Sequence, residues 1–161
     1  MKKGARFLTE TAVIAAIYAV LTIVLAPFSF GALQVRISEA MCILPFFTPA
    51  AVPGLFIGCL IANSITVGVG ILDLIFGSLA TLAAAFITYK IRNGNKWLLP
   101  LPSILVNALV VPWILTVQYG VQDAYWFLMI TVGIGQAIAC YGAGMPLWFA
   151  LNKGKKAIFQ R

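Results

Sequence analysis

The chain has 161 residues, of which 62% are apolar and 9% are charged, and its mean hydropathy is +1.02. Soluble domains carry about 25% charged and about 45–50% apolar residues, so the composition predicts a single membrane-embedded domain over residues 1–161. The chain has no His and only four carboxylates, which excludes a Ser–His nucleophile pair and a His-based metal site. We expect no cofactor and no bound metal.

The cysteines and the basic net charge have structural explanations. Cys42, Cys59 and Cys140 lie in apolar stretches without C-x-x-C spacing, which indicates small packing residues. The net charge of +7 is typical of nucleic-acid-binding proteins too, but here the eleven Lys and Arg cluster at the ends of apolar runs, as in cytoplasmic loops of membrane proteins. We therefore interpret the charge as a topology signal and expect the lipid bilayer, not nucleic acid, as the partner.

Six apolar segments follow one another along the chain. The first comes after a basic N-terminus, as in a signal peptide, but it continues to Ala26 without a clear cleavage motif and is interpreted as a retained span. Residues 36–67 fit either one span or a hairpin of two short ones, because Pro45, Pro49 and Pro53 interrupt the pattern. The segments cover residues 7–26, 36–50, 53–67, 71–89, 97–117 and 124–150.

Basic residues decide the number of spans. Six spans with both termini in the cytoplasm place ten of the eleven basic residues on the cytoplasmic side and leave only Arg36 outside. Five spans would instead place the basic residues from Lys90 to Arg161 on the outer side. The sequence therefore predicts an all-α integral membrane protein with six transmembrane helices. Each half of the hairpin offers about 24 Å against a hydrocarbon core of about 30 Å, so we expect a depression that opens outward.

Three of the four carboxylates, Glu39, Asp73 and Asp123, fall at or just inside the outer ends of spans in this topology. An ionised group at the bilayer centre costs about 2.5–3.5 kcal/mol, so Glu39 and Asp73 need partners, water or a ligand. Arg36 precedes Glu39 by three residues and is close enough to pair with it on one helix face. A helix start is an alternative explanation for Asp73, and solvation in a loop explains Asp123. Glu39 and Asp73 are the leading candidates for a binding site.

The other candidates for this site are uncharged. Asn63, Asn107 and Gln136 are amides within spans, although hydrogen bonds between helices explain most such residues. Gln34 belongs to the same polar outer face as the carboxylates. Trp113 offers an aromatic face to a flat ligand, while an interfacial belt explains most aromatic residues near it.

The first span carries a stripe of small residues at helical spacing, formed by Ala12, Ala15, Ala16 and Ala19. Small residues four apart allow another helix to approach closely within lipid. Spacing alone favours packing against the protein's own helices. The alternative is a docking face for a partner subunit.

Four runs of sequence carry a resemblance to a known family. They are GALQVRISEAMCILPFFTPAAVPG (31–54), GLFIGCLIAN (54–63), LDLIFGSLATL (72–82) and LPSILVNALVVP (101–112). These runs resemble the QueT-type substrate-binding subunits, or S components, of energy-coupling factor (ECF) vitamin transporters. The resemblance covers nearly the whole chain. The resemblance implies a six-helix bundle in the bacterial cytoplasmic membrane that captures a vitamin-like compound from outside. It also implies a transmembrane coupling subunit and two cytoplasmic ATPases as partners, with Ala12 and Ala16 matching the family's docking motif.

The substrate implied by the resemblance is a queuosine precursor, a deazaguanine base such as queuine or its aminomethyl or cyano relatives. The guanine-like edge of such a base presents two adjacent N–H donors, which a carboxylate of Glu39 or Asp73 can accept together. Its carbonyl can accept from Arg36, Asn63 or Asn107.

Two other classes of function follow from the same residues. A self-contained small carrier or channel would use Glu39 and Asp73 to bind a cation, a proton or another small solute. A membrane enzyme has little support, because the chain lacks a nucleophile–base pair. No Walker A sequence occurs, so we expect no ATPase activity from this chain and a separate subunit as the energy source.

Overall fold

The computed structural model describes residues 3–25, 36–66 and 68–155. Gln34 lies outside these ranges, so its place at the outer face stays a prediction. Within the described ranges the chain forms six helices and no strand. The helices are α1 (Lys3–Val24), α2 (Ile37–Phe46), α3 (Ala51–Ile65), α4 (Asp73–Ile91), α5 (Leu101–Tyr119) and α6 (Tyr125–Lys153).

Four of the helices, α1, α4, α5 and α6, are long and apolar enough to cross a bilayer, α5 together with the preceding 3-10 turn Lys96–Leu98. The helices α2 and α3 have only 10 and 15 residues, or about 20 Å and about 22 Å at the rise of a 3-10 helix and an α-helix. Residues 36–67 thus form two short helices and not one long one, as the hairpin interpretation predicts. The number of crossings and the cytoplasmic location of the termini stay predictions.

The outer surface of the bundle is apolar. Leu8, Val24, Ile71 and Trp126 expose 68%, 66%, 69% and 65% of their surface. Large exposed apolar areas on a protein mark a surface that another apolar phase covers. Together with the helix lengths, this surface indicates a membrane protein.

The helices α1 and α3 form the most extensive contact of the bundle because α3 presents glycines to α1. A Cβ on Gly58 would lie 2.8 Å from the carbonyl oxygen of Ala15 and 2.8 Å from Cβ of Tyr18. A Cβ on Gly54 would lie 2.9 Å from Cγ2 of Ile14. Glycine thus lets the two helices approach more closely than any larger residue would allow.

We expect Gly58→Ala to lower the thermal stability of the purified protein, because forcing a methyl group into a packed helix contact costs about 1–3 kcal/mol. Gly142→Ala is the matched control, since a Cβ there meets nothing within 4 Å. Melting curves of the two variants in the same detergent measure the difference. Equal melting temperatures would contradict the close approach of α1 and α3.

Three of the six helices depart from regular α-helix geometry along part or all of their length. The helix α2 is a 3-10 helix over its whole length, in which residues three apart eclipse, so Glu39 and Cys42 lie along one line. The helix α4 begins with a π-helical turn, Asp73–Gly77, and α6 contains the π-helical segment Ile138–Gly144. Such distortions occur frequently at functional sites. The first two carry Glu39 and Asp73, and the third carries Cys140, whose Sγ contacts Glu39 and Gln136.

Labelling of introduced cysteines tests the predicted orientation. We expect a membrane-impermeant maleimide to reach Gln122→Cys in intact cells but neither Asn93→Cys nor Gly154→Cys, because basic clusters beside the latter two favour the cytoplasm. The native cysteines are buried and add little background. Labelling of Asn93→Cys from outside would overturn the six-span orientation.

Candidate functional site

The interior of the bundle holds one deeply buried carboxylate. Glu39 is 3% exposed. Its Oε1 accepts a hydrogen bond of 2.6 Å from the Tyr18 hydroxyl on α1, and its Oε2 accepts one of 2.8 Å from the Ser103 hydroxyl on α5. Both donors are neutral, so the carboxylate keeps its capacity for charge-assisted bonds to the N–H groups of a ligand.

Two amides extend this group. Nδ2 of Asn107 donates to Oγ of Ser103 at 3.4 Å. On α6, Sγ of Cys140 lies 3.6 Å from the backbone oxygen of Glu39 and 3.8 Å from Oε1 of Gln136. Asn107 and Gln136 are both buried. We define the Glu39 cluster as Glu39, Tyr18, Ser103, Asn107 and Gln136.

A second polar group surrounds Asp73. Nη2 of Arg36 donates to Oδ1 of Asn63 at 2.9 Å, and Nδ2 of Asn63 donates to the backbone oxygen of Asp73 at 3.0 Å. The Asp73 carboxylate accepts from the Tyr119 hydroxyl at 2.6 Å and from Nε2 of Gln118 at 3.3 Å. We define the Asp73 cluster as these five residues: Arg36, Asn63, Asp73, Gln118 and Tyr119.

The two clusters contact opposite ends of α5. Ser103 lies in the first turn of α5 and Gln118 in its last, an axial distance of roughly 22 Å. Glu39 lies in the first turn of α2, and its side chain reaches Ser103, at the end of α5 opposite to Gln118. That Glu39 and Asp73 lie near the outer face of the membrane stays a prediction. Arg36 interacts electrostatically with both Glu39 and Asp73 and so connects the two clusters.

A small internal space adjoins Glu39. The cavity has a volume of about 10 Å³ and is lined on its polar side by Tyr18, Glu39, Thr81 and Ser103. A single water needs a cavity of about 10–15 Å³, so the helices around Glu39 leave room for about one water molecule.

Trp113 lies on α5 near the Asp73 cluster. Its ring packs edge-to-face on Phe76, which follows Asp73 by three residues, with ring centroids 5.0 Å apart. It remains 39% exposed. Both an interfacial position and contact with a ligand fit this geometry, so the predicted role of Trp113 as an aromatic wall stays a prediction.

The hydroxyl donors Tyr18, Ser103 and Tyr119 are not among the residues that the sequence predicts for the site. Tyr18 stands in an apolar stretch, Ser103 follows a proline near the start of a span, and Tyr119 resembles an interfacial aromatic residue. The sequence does hold a general signal for such residues. A buried carboxylate needs hydrogen-bond donors, and the hydroxyl side chains within apolar spans are uncharged donors. Which hydroxyl reaches which carboxylate depends on how the helices pack.

The alanine stripe of α1 divides into two faces. Ala15 and Ala19 are 4% and 5% exposed and pack inside the fold. Ala12 and Ala16 are exposed on the outer surface. Packing against the protein's own helices, which spacing alone favours, therefore explains Ala15 and Ala19 only.

Apolar helices around a charged and hydrogen-bonded interior define the class of this molecule, a helical membrane protein. Within that class the chain belongs to the QueT transporter family, whose family model matches residues 8–153. The resemblance found in the sequence is thereby confirmed, and the chain is a transporter protein. No curated protein and no solved structure matches the chain significantly.

Proposed function

We propose that this chain is the substrate-binding subunit of an ATP-driven ECF importer and that it captures a deazaguanine base, such as the queuosine precursor queuine, from outside the cell. The observation that carries the proposal is the Glu39 carboxylate, buried in the interior of a transporter and held by neutral hydroxyl groups. Membership of the QueT transporter family supports a role in transport.

The chemistry of Glu39 suits the guanine-like edge of this ligand. Each carboxylate oxygen now accepts one hydroxyl hydrogen bond, and two adjacent N–H donors on one ring edge match the same two oxygens. The two N–H groups of the ligand replace the hydroxyls of Tyr18 and Ser103 as donors, so the carboxylate keeps two hydrogen bonds. Asn107, released from Ser103, supplies an amide donor for the ring carbonyl.

Entry of the base requires the bundle to open around Glu39, because the cavity there has a volume of only about 10 Å³. The helix α2 is suited to such a movement. It is a 3-10 helix, whose hydrogen-bond geometry is poorer than that of an α-helix. In this proposal the Asp73 cluster forms the outer entrance, with the Asp73–Tyr119 hydrogen bond of 2.6 Å joining α4 to α5 until the ligand arrives.

The energy source in this proposal is external to the chain. The sequence contains no Walker A motif, so a transmembrane coupling subunit and two cytoplasmic ATPases provide ATP hydrolysis. Ala12 and Ala16 are exposed on α1, where a coupling helix can approach the backbone closely.

The alternative is a self-contained carrier or channel for a cation or another small solute. It is favoured by one observation: the carboxylate and hydroxyl groups at Glu39 adjoin a space of about 10 Å³, which suits a single small ion or water molecule. In that case the residues of the Glu39 cluster would bind a proton or a metal cation in place of a base.

Reconstitution into liposomes separates the two proposals. We expect the purified chain alone to bind radiolabelled queuine without transporting it, and uptake to appear only when the coupling and ATPase subunits and ATP are present. Titrations with queuine, its aminomethyl and cyano relatives, and guanine as the control identify the preferred precursor. Uptake by the chain alone, or no binding of any of these bases, would overturn the proposed function.

A further inference from the structure

An apolar groove lies on the outside of the bundle, separate from both polar clusters. It has a volume of about 420 Å³. The helix α1 and the last turns of α6 form its walls, and α2 forms its floor. The main apolar lining residues are Val13, Ile17, Leu21, Leu44, Leu147 and Leu151.

The length of the groove matches the depth of one membrane leaflet. It extends along α1 from Thr9 to Leu21, roughly 18 Å at the rise of an α-helix. This is close to half of the hydrocarbon core of about 30 Å, the depth of one leaflet. One extended acyl chain of a single leaflet has a matching length.

One end of the groove carries a cation. Nζ of Lys155 lies 4.8 Å from the centroid of the Phe46 ring. Phe46 comes two residues after Leu44 on the groove floor, and Lys155 comes one helical turn after Leu151 on its wall. The Lys155 ammonium group is therefore positioned beside the end of an apolar channel, as the headgroup region of a lipid requires.

The acidic residue at the same end does not oppose a negative headgroup. Oε1 of Glu10 accepts from Nε of Arg6 at 2.7 Å, and Oε2 accepts from the Thr48 hydroxyl at 2.6 Å. The Glu10 charge is thus balanced by Arg6. The basic residues at this end are the ones that the sequence predicts to face the cytoplasm, where the membrane leaflet is negatively charged.

We propose that the groove binds one acyl chain of an anionic phospholipid, with the phosphate headgroup at Lys155. The bound lipid covers the apolar surface between α1 and α6 and connects the two ends of the chain. This site is independent of the substrate proposed above.

Native mass spectrometry of the full chain tests the proposal. The chain is released from nanodiscs that contain equal amounts of phosphatidylglycerol and phosphatidylcholine. We expect one phosphatidylglycerol to remain bound per chain. Ile17→Trp should abolish retention, because Ile17 lines the groove and is 47% exposed, so the larger ring fills the groove without disturbing the core. Ile134→Trp is the matched control, since Ile134 is 49% exposed and does not line the groove.

A second variant tests the headgroup. We expect Lys155→Gln to keep one lipid but to reduce the preference for phosphatidylglycerol over phosphatidylcholine by about fivefold, the contribution of one basic residue near a charged lipid surface. Melting curves confirm that the variants are folded. Equal lipid retention by Ile17→Trp and Ile134→Trp would overturn the proposal. A groove that is covered by another membrane subunit and holds no lipid would overturn the proposal as well.

Discussion

Glu39→Gln should weaken binding of the deazaguanine base by roughly 10- to 150-fold, which corresponds to the loss of about 1.5–3 kcal/mol from one charge-assisted hydrogen bond. The carboxylate accepts two hydrogen bonds in the structure, and the amide of Gln has nearly the same shape. The variant therefore keeps an acceptor for one hydroxyl but loses the negative charge that two ligand N–H groups need. Equilibrium titration of the purified protein measures the change.

Asp123→Asn is the matched control for this prediction. Asp123 is exposed, so removal of its charge should leave affinity unchanged. Asp73→Asn should weaken binding as well, because the amide replaces a second candidate charge-assisted acceptor for the ligand by a neutral group of similar shape. Melting curves separate loss of binding from loss of folding. If Glu39→Gln binds as tightly as the original protein while Asp123→Asn does too, Glu39 does not contact the substrate.

Replacement of Ala12 and Ala16 together by Leu should abolish association with the coupling subunit and ATP-driven uptake, while substrate affinity stays unchanged. Both residues are exposed and one helical turn apart, so added bulk blocks a partner helix without entering the core. Co-purification with the coupling subunit and uptake in liposomes give the two measurements.

The same helix offers a matched control for the docking face. Ala15 and Ala19 are buried, and Leu at these positions should lower stability by about 1–3 kcal/mol through overpacking, with a loss of substrate affinity. The two double variants should thus fail in different ways. A loss of stability in the Ala12 and Ala16 variant would assign these residues to the fold and remove them from the docking surface.

The helical, membrane-embedded character of the protein could be predicted because it depends on local properties of the chain. Mean hydropathy over a segment of about 20 residues reports whether that segment is stable in lipid. The prolines between residues 45 and 53 interrupt the helical pattern at the point where α2 ends and α3 begins. Buried Asn63, Asn107 and Gln136 were identified for the same reason, since an amide within an apolar span needs a partner inside the protein.

The tertiary structure alone decided how the polar residues group. The sequence predicts Glu39 and Asp73 near the outer ends of their spans, and the packing of the helices gives them partners, Ser103 and Tyr119, at opposite ends of α5. The depth of Glu39 depends on the position of α2 relative to its neighbours and on its 3-10 geometry, neither of which hydropathy encodes.

The alanine stripe shows the same division between local pattern and packing. Its spacing made Ala12, Ala15, Ala16 and Ala19 equivalent as residues that permit a close helix contact. Only the rotation of α1 against α3, set by the missing side chain of Gly58, buries Ala15 and leaves Ala12 and Ala16 on the surface. The sequence determined which positions allow two helices to approach closely. The packing of the helices determined which of those positions remain accessible, because the rotation of a helix depends on contacts between residues far apart in the chain.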